Sequence, residues 1–296
     1  VDLHFLREIR GAELLDKPEL FERARRTQHA EIASIGKADA TIVLTDQEAD
    51  IVRREAPSAL IHVIPLVPDP DELCRAAPLF APFSARSGVI FVGTYQHAPN
   101  ADAVTYFVRS IWPLVRQRVP TAVFRIVGSG VTSEVQALAG NGVEVVGFVD
   151  DLDAVVAQCR VAVVPLRYGA GMKGKILTSL RAGLPTVSSS IGIEGFALTP
   201  GEEILVEDDP NMFADAVIRL YTEEAMWTRL AQKGQEFARK NFSFDRSRKL
   251  FHRLLSDIKV DRLSSSTASK MDTEIFGSSS QFQRDIRKAK PVCVTK

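Results

Sequence analysis

The chain has 296 residues, 45% hydrophobic and 25% charged, values ordinary for a globular protein with one large domain or two smaller ones. Thirty-seven basic residues balance thirty-seven acidic ones, so no bulk charge favours nucleic acid or an anionic membrane; peripheral membrane contact through a local basic patch is left open. Cys74, Cys159 and Cys293 lie far apart without metal-ligand spacing, no apolar run approaches the roughly 20 residues of a membrane span, and no signal peptide opens the sequence. These features point to a soluble, cytoplasmic protein with ordinary thiols.

Val1 stands where a methionine is expected, and the first residues read as the end of a strand already under way, so an upstream part is expected. A helical pattern over 19–37 leads into a short apolar run at 40–44, which reads as a buried strand. Thr45 and Asp46 offer an N-cap for a helix through Glu48 and Val52, and another strand over 60–64 ends at Pro65. Pro68, Pro70, Pro78 and Pro82 then punctuate a stretch without apolar period, read as a linker over 67–87.

From 88 the chain alternates. Apolar runs at 89–92, 123–127, 143–146, 161–164, 186–187 and 204–206 read as strands, with helical patterns at 101–118, 133–139, 152–159 and 173–182 between the first five. The runs are continuous rather than alternating, as expected of parallel strands covered on both faces. Strand–helix–strand repetition implies right-handed crossovers in an open, doubly wound sheet, whose ligands bind outside the carboxyl ends of the strands. Further helical patterns cover 211–221, 224–240 and, after a cap at Ser243, 244–258. Beyond Val260 the serine-rich composition predicts disorder. The expected organisation is a remnant of a first domain over 1–66, the linker over 67–87, a complete α/β domain over 88–242, a crossover helix over 243–259 and a disordered tail over 260–296.

The loops that follow the strands carry the candidate chemistry. After Pro165 a loop holds Gly169 and Gly171, and a helix begins near Lys173. Glycines admit a close ligand, helix-start amides favour an anion, and Lys173 and Lys175 add positive charge on the first turn. That is a diphosphate site, or else a glycine loop shaped only for tight packing. Gly93 ends the first strand of the sheet and leads through His97 to a helix near Pro99; His97 either lies at the ligand or caps and packs. After the strand at 186–187 come Gly192, Ile193, Glu194 and Gly195, where Glu194 either accepts hydrogen bonds from sugar hydroxyls or is a solvated loop carboxylate.

Together these segments resemble glycosyltransferase family 4, the group 1 retaining glycosyltransferases of GT-B fold. The carriers are Gly88 to Thr94 with His97 to Asn100, Ile126 to Gly130, Val146 to Asp150, and Gly169 to Leu180 running on to Val187 and Gly192 to Gly195. The resemblance covers 87–255 well and the start more weakly. It implies two Rossmann-like domains, the first truncated and the second complete. The second would hold a nucleotide-diphosphate sugar as substrate, and the first a glycan, lipid-linked or small-molecule acceptor. It implies that Gly93 and its loop with Lys175 meet the diphosphate, that Phe148 and its neighbours meet the base, and that Ile193 and Glu194 lie near the phosphates and ribose. The segment from Asp2 to Arg7 resembles the strand-end histidine segment of the acceptor domain, which makes His4 the catalytic candidate facing the donor sugar; a lone histidine there is otherwise structural. No metal and no cofactor are implied.

Many family members carry two glutamates across the glycine loop and its helix, where this chain has Ala170 and Thr178. The second bonds the ribose, and hydrogen bonds to charged groups contribute about 1.5–3 kcal/mol each; Thr178 offers only a neutral one. Two readings follow: a retaining hexosyltransferase-type enzyme that uses amides and lysines to stabilise a departing diphosphate, or a degenerate, non-catalytic domain that binds a nucleotide sugar or a partner protein.

Overall fold

A computed structural model describes residues 3–65 and 81–258. The first half opens with two helices that pack along each other, α1 (His4–Leu15) and α2 (Pro18–Ile35). They precede the short strands β1 (Thr41–Val43) and β2 (Ile61–Val63), which pair in parallel across the helix α3 (Asp46–Glu55). Leu3, Phe5, Ile35, Val43, Ala49, Val52 and Ala56 form the core. Thr45 caps α3 in a reciprocal arrangement: its hydroxyl accepts from the Glu48 N–H at 3.0 Å, and the Glu48 carboxylate accepts from the Thr45 N–H at 3.1 Å.

One expectation fails at the start. Residues 4–7, read as a strand end, form the first turn of α1. The cap is supplied from another helix: one carboxylate, Glu31 of α2, accepts from the backbone N–H of His4 at 3.1 Å and of Phe5 at 3.3 Å. Helix-start donors need a partner, and here it lies 26–27 residues away in sequence.

The second half is a six-stranded, all-parallel sheet with order β5-β4-β3-β6-β7-β8. Its strands are β3 (Val89–Val92), β4 (Phe124–Val127), β5 (Val143–Gly147), β6 (Val161–Val164), β7 (Thr186–Ser188) and β8 (Leu205–Val206). Each was legible as an apolar run to within two residues at either end. Burial on both faces explains why: Val89, Phe91, Val161 and Val163 join a core with Phe107, Ile176, Phe213 and Val217, while Ile90, Val127 and Ala162 pack with Val156, Cys159 and Leu184 on a second. Chain order reverses between β3 and β6, so the connections leave in opposite directions and open a crevice at those strands' carboxyl ends.

The expected single helix over 101–118 is three pieces, Ala98–Tyr106, a π turn at Phe107–Ile111 and Trp112–Arg118. Pro113 lacks the N–H that would continue the α ladder, and the wider turn accommodates the break. The end of the expected linker also differs. Arg86 is buried, donates to the carbonyls of Ala81 at 3.0 Å and of Cys159 and Ala182 at 3.4 Å, and stacks on Trp227 at 5.3 Å, so residues 81–87 are packed onto the second half. The rest of that linker, and the tail expected beyond 260, lie outside the described residues.

The helix Glu224–Asn241 packs against Gly174–Arg181, where Gly234 leaves room for Leu180. After Phe242, which packs on Phe196 and Phe237, Ser243 caps the last helix, Phe244–Asp257. This helix lies against β2 of the first half, with His62 Nε2 3.6 Å from the Asp257 carboxylate. Among the described residues no helix is long and apolar enough to cross a membrane.

Phe107 sits at the centre of the larger core, fully buried, its ring centroid 4.6 Å from Phe124 and 6.1 Å from Phe213. Phe107→Ala should cost about 3–5 kcal/mol through lost burial and a residual cavity. Urea unfolding of the variant would check this as a lowered midpoint with an unchanged slope.

Candidate functional site

The crevice between β3 and β6 collects the two loops that the sequence singled out. The loop after β3 begins at Gly93, whose amide bonds to Val127 O at 3.0 Å. A side chain on Gly128 would collide with the Gly93 carbonyl at 1.9 Å, so glycine there (φ +131°) lets the β3 and β4 loops close together. Asn100 is buried and donates to Thr94 O at 2.9 Å, which folds the loop back over the end of β3. His97 stands at the N-cap of the following helix, with no side-chain cap bond.

The glycine loop after β6 reaches the same place. Gly169 (φ +154°) and Gly171 (φ +70°) take backbone conformations that other residues rarely adopt, and the helix Gly174–Arg181 opens immediately after Lys173. Lys175, on the first turn, reaches Asn100 Oδ1 at 2.5 Å and lies 4.1 Å over the ring of Phe91. Gly93, Lys175 and the helix start are thus brought together at the switch point. Burial, and second the charge of Lys173, lower the Lys175 pKa to about 7.

Lys173 and Glu194 are not arranged as the sequence suggested. Lys173 is buried and pairs with Glu194 at 3.3 Å, and burial lowers its pKa against the opposing pull of that carboxylate. Glu194 is not a solvated carboxylate. Arg10 of α1 grips both its oxygens at 2.7 Å and also donates to Gly169 O at 2.6 Å. Burial disfavours the Glu194 charge, yet the Arg10 bonds and the Lys173 charge hold its pKa below the usual carboxylate range. The carboxylate expected to meet sugar hydroxyls pairs with two cations in this structure. Arg10 was missed, since nothing in its local spacing marks it.

The other expected residues are scattered around this centre. Ile193 is partly buried against the main core, and Gly192 is forced by crowding, since a side chain there would meet Ser188 Oγ at 2.1 Å. Phe148 lies just past β5, two strands from β3, and is 71% exposed, leaving its ring face open. Thr178 donates to the Gly174 carbonyl of its own helix at 3.2 Å. His4 Nδ1 lies 2.8 Å from Glu31, and six helical residues, roughly 9 Å of rise, separate it from Arg10. Among the described residues no group of three or more His, Cys, Asp or Glu side chains could hold a metal ion.

Lys175 sets a pH dependence. An unfolded lysine titrates near 10.5, so between about pH 7 and 10.5 the unfolded chain holds a proton that the folded chain has released. This group therefore contributes stability that rises with pH through that window. A bound multivalent anion reverses the preference and draws the proton back to Lys175. Pyrophosphate binding at pH 8 should accordingly take up protons, measured by calorimetry in buffers of different ionisation enthalpy, and weaken from pH 7 to 9. Lys175→Arg, charged throughout, should flatten the lysine part of that dependence; equal slopes for both proteins would exclude Lys175 as its source.

Residues 86–223 match the family described as "Glycosyl transferases group 1". An uncharacterized 44.6 kDa protein in the cps region of Klebsiella pneumoniae is 25% identical over 178 residues, covering 57% of this chain and 45% of that protein. TarM of S. aureus, solved with fondaparinux, alpha-GlcNAc-glycerol and UDP, superposes with a TM-score of 0.66 at 16% identity, over 79% of this chain and 46% of TarM. Sucrose-phosphate synthase of Thermosynechococcus elongatus gives 0.65 at 20% identity over 84% and 66% of the two chains, and Anabaena HepE with UDP and glucose gives 0.63 at 13% over 78% and 67%. The chain therefore spans about half the length of the Klebsiella relative and of TarM. Its α/β architecture of parallel sheets resembles that of these solved structures, and the match to the group 1 family model is confined to residues 86–223.

Proposed function

We propose that this chain carries the donor site of a glycosyltransferase that transfers a sugar from a nucleotide-diphosphate sugar with retention at the anomeric carbon. The observation that carries this reading is the meeting of the glycine loop, the start of helix Gly174–Arg181 and Lys175 with the loop after β3 at the switch point. Helix-start amides and a partly desolvated ammonium suit a diphosphate and would stabilise its departure. The exposed ring of Phe148, two strands away, suits a stacking nucleobase. The group 1 match and the UDP bound in the TarM and HepE structures support the same ligand class.

In this reading the first half is the remnant of an acceptor-side domain, the helix Phe244–Asp257 crosses back to it, and His4, oriented through Nδ1 by Glu31, is its catalytic candidate. The acceptor class is a glycan, a lipid-linked or a small molecule, and the reaction is cytoplasmic and uses no cofactor. A second, non-catalytic reading draws on Thr178, whose hydroxyl proton is given to its own helix where relatives offer a carboxylate to the ribose.

Titration with uridine, guanosine and adenosine diphosphates tests the donor site. Lys175→Met should weaken the preferred diphosphate by about tenfold to a hundredfold, the equivalent of roughly 1.5–3 kcal/mol, and the matching nucleoside much less. A folded, unaltered chain that binds none of the three at millimolar concentration would sink the donor-site reading.

A further inference from the structure

Resting on that reading, we infer that the donor pocket is composite: Arg10, from the first half, neutralises Glu194 and so keeps the glycine loop receptive to an anion. Glu194 is the carboxylate bonded into the glycine-loop region, and it is joined to that loop through one guanidinium, which bonds both its oxygens and the carbonyl of Gly169. Bidentate arginine–carboxylate pairs fix direction as well as charge. The other cation on Glu194 is Lys173, at 3.3 Å from one oxygen and placed immediately before the helix whose start would meet a diphosphate. Without Arg10, Glu194 would present most of its charge to Lys173 and to any anion nearby. Other charged groups that face this cluster are Lys175 (which feels the charge of Lys173), Glu13 on α1, and Glu48, whose carboxylate is held in the cap of α3.

The backbone is shaped for this reach. Gly11, next to Arg10, lies so close to Tyr168 that a side-chain carbon there would sit 3.1 Å from the ring. On the other side, a carbon on Gly195 would meet Thr45 of the first half at 2.4 Å. Two glycines that flank the ion pair therefore allow the halves to close on the loop, and Arg10 acts as a positioning residue through Glu194 rather than as a ligand of the donor.

UDP affinity of the 296-residue chain, measured by calorimetry with thermal melts alongside, separates this role from simple scaffolding. Arg10→Ala should weaken UDP at least tenfold. Glu194→Gln should leave it within threefold or tighten it, and the double variant Arg10→Ala with Glu194→Gln should recover to within threefold of the unaltered chain. A purely structural clamp would make all three variants weak, and a direct Arg10–phosphate contact would leave the double variant as weak as Arg10→Ala; either result overturns the inference. Should Arg10→Ala melt early, Arg10→Gln with Glu194→Gln keeps a neutral hydrogen-bonded pair and should also bind within threefold. Binding by the unaltered chain that Arg10→Ala does not change would refute this inference alone, whereas no UDP binding by the unaltered, folded chain would remove the donor-site reading and this inference with it.

Discussion

Lys175 reaches from the first turn of its helix to Asn100 and lies over Phe91, and the candidate site depends on that reach. The two strands it links, β3 and β6, are neighbours in the sheet, but their following helices depart in opposite directions. A crevice forms where the connections part, and only a long side chain bridges it. The ammonium stays where water is scarce because an amide oxygen and a ring face both stabilise a cation. It is also depressed toward neutral pH, and an anion entering the crevice would restore its charge.

A second polar layer sits beside the first and joins the halves. Arg10, Glu194 and Lys173 form an arginine–carboxylate–lysine triad in which no member is fully solvated. Buried ion pairs are seldom strong sources of net stability, because desolvation offsets much of their attraction, but removing one partner leaves an uncompensated charge. Such a triad holds orientation more than it holds the fold together. The packing beneath it supplies the fold: the seam where α1 meets Tyr168 and where Gly195 meets Thr45.

What the sequence made legible follows from which interactions are local. The parallel strands announce themselves because a strand covered on both faces must be apolar throughout, as Val161 to Val164 are. The caps at Thr45 and Ser243 are written within three residues of the helices they start. That the loops of Gly93, Gly171 and Lys175 meet follows from the rule that the connections part at the carboxyl ends of such strands. What stayed hidden is non-local. The start of α1 is capped by Glu31 across 26 residues or more, and no pattern in residues 4–15 advertises that partner. Arg10 and Glu194 lie 184 residues apart, so neither reveals the other. Glu194 was legible as a loop carboxylate, but its pairing with Arg10 was not.

The charge arithmetic of the site finally bears on what kind of ligand it selects. With Glu194 satisfied by Arg10 and Lys173, the Lys175 ammonium and the helix-start amides remain to face an incoming ligand, and both favour phosphate over sugar or ribose hydroxyls. Thr178 reinforces that bias, since its hydroxyl proton is already given to Gly174 O and it brings no negative charge to repel a diphosphate or grip a ribose. On the proposed reading, the attraction would shift toward the phosphates, and discrimination among nucleosides would fall to the exposed ring of Phe148 just past the edge strand β5. A platform at a sheet edge stacks on any base, whereas buried hydrogen bonds discriminate. The described residues of this site would, on that reading, favour diphosphate recognition with loose base selectivity.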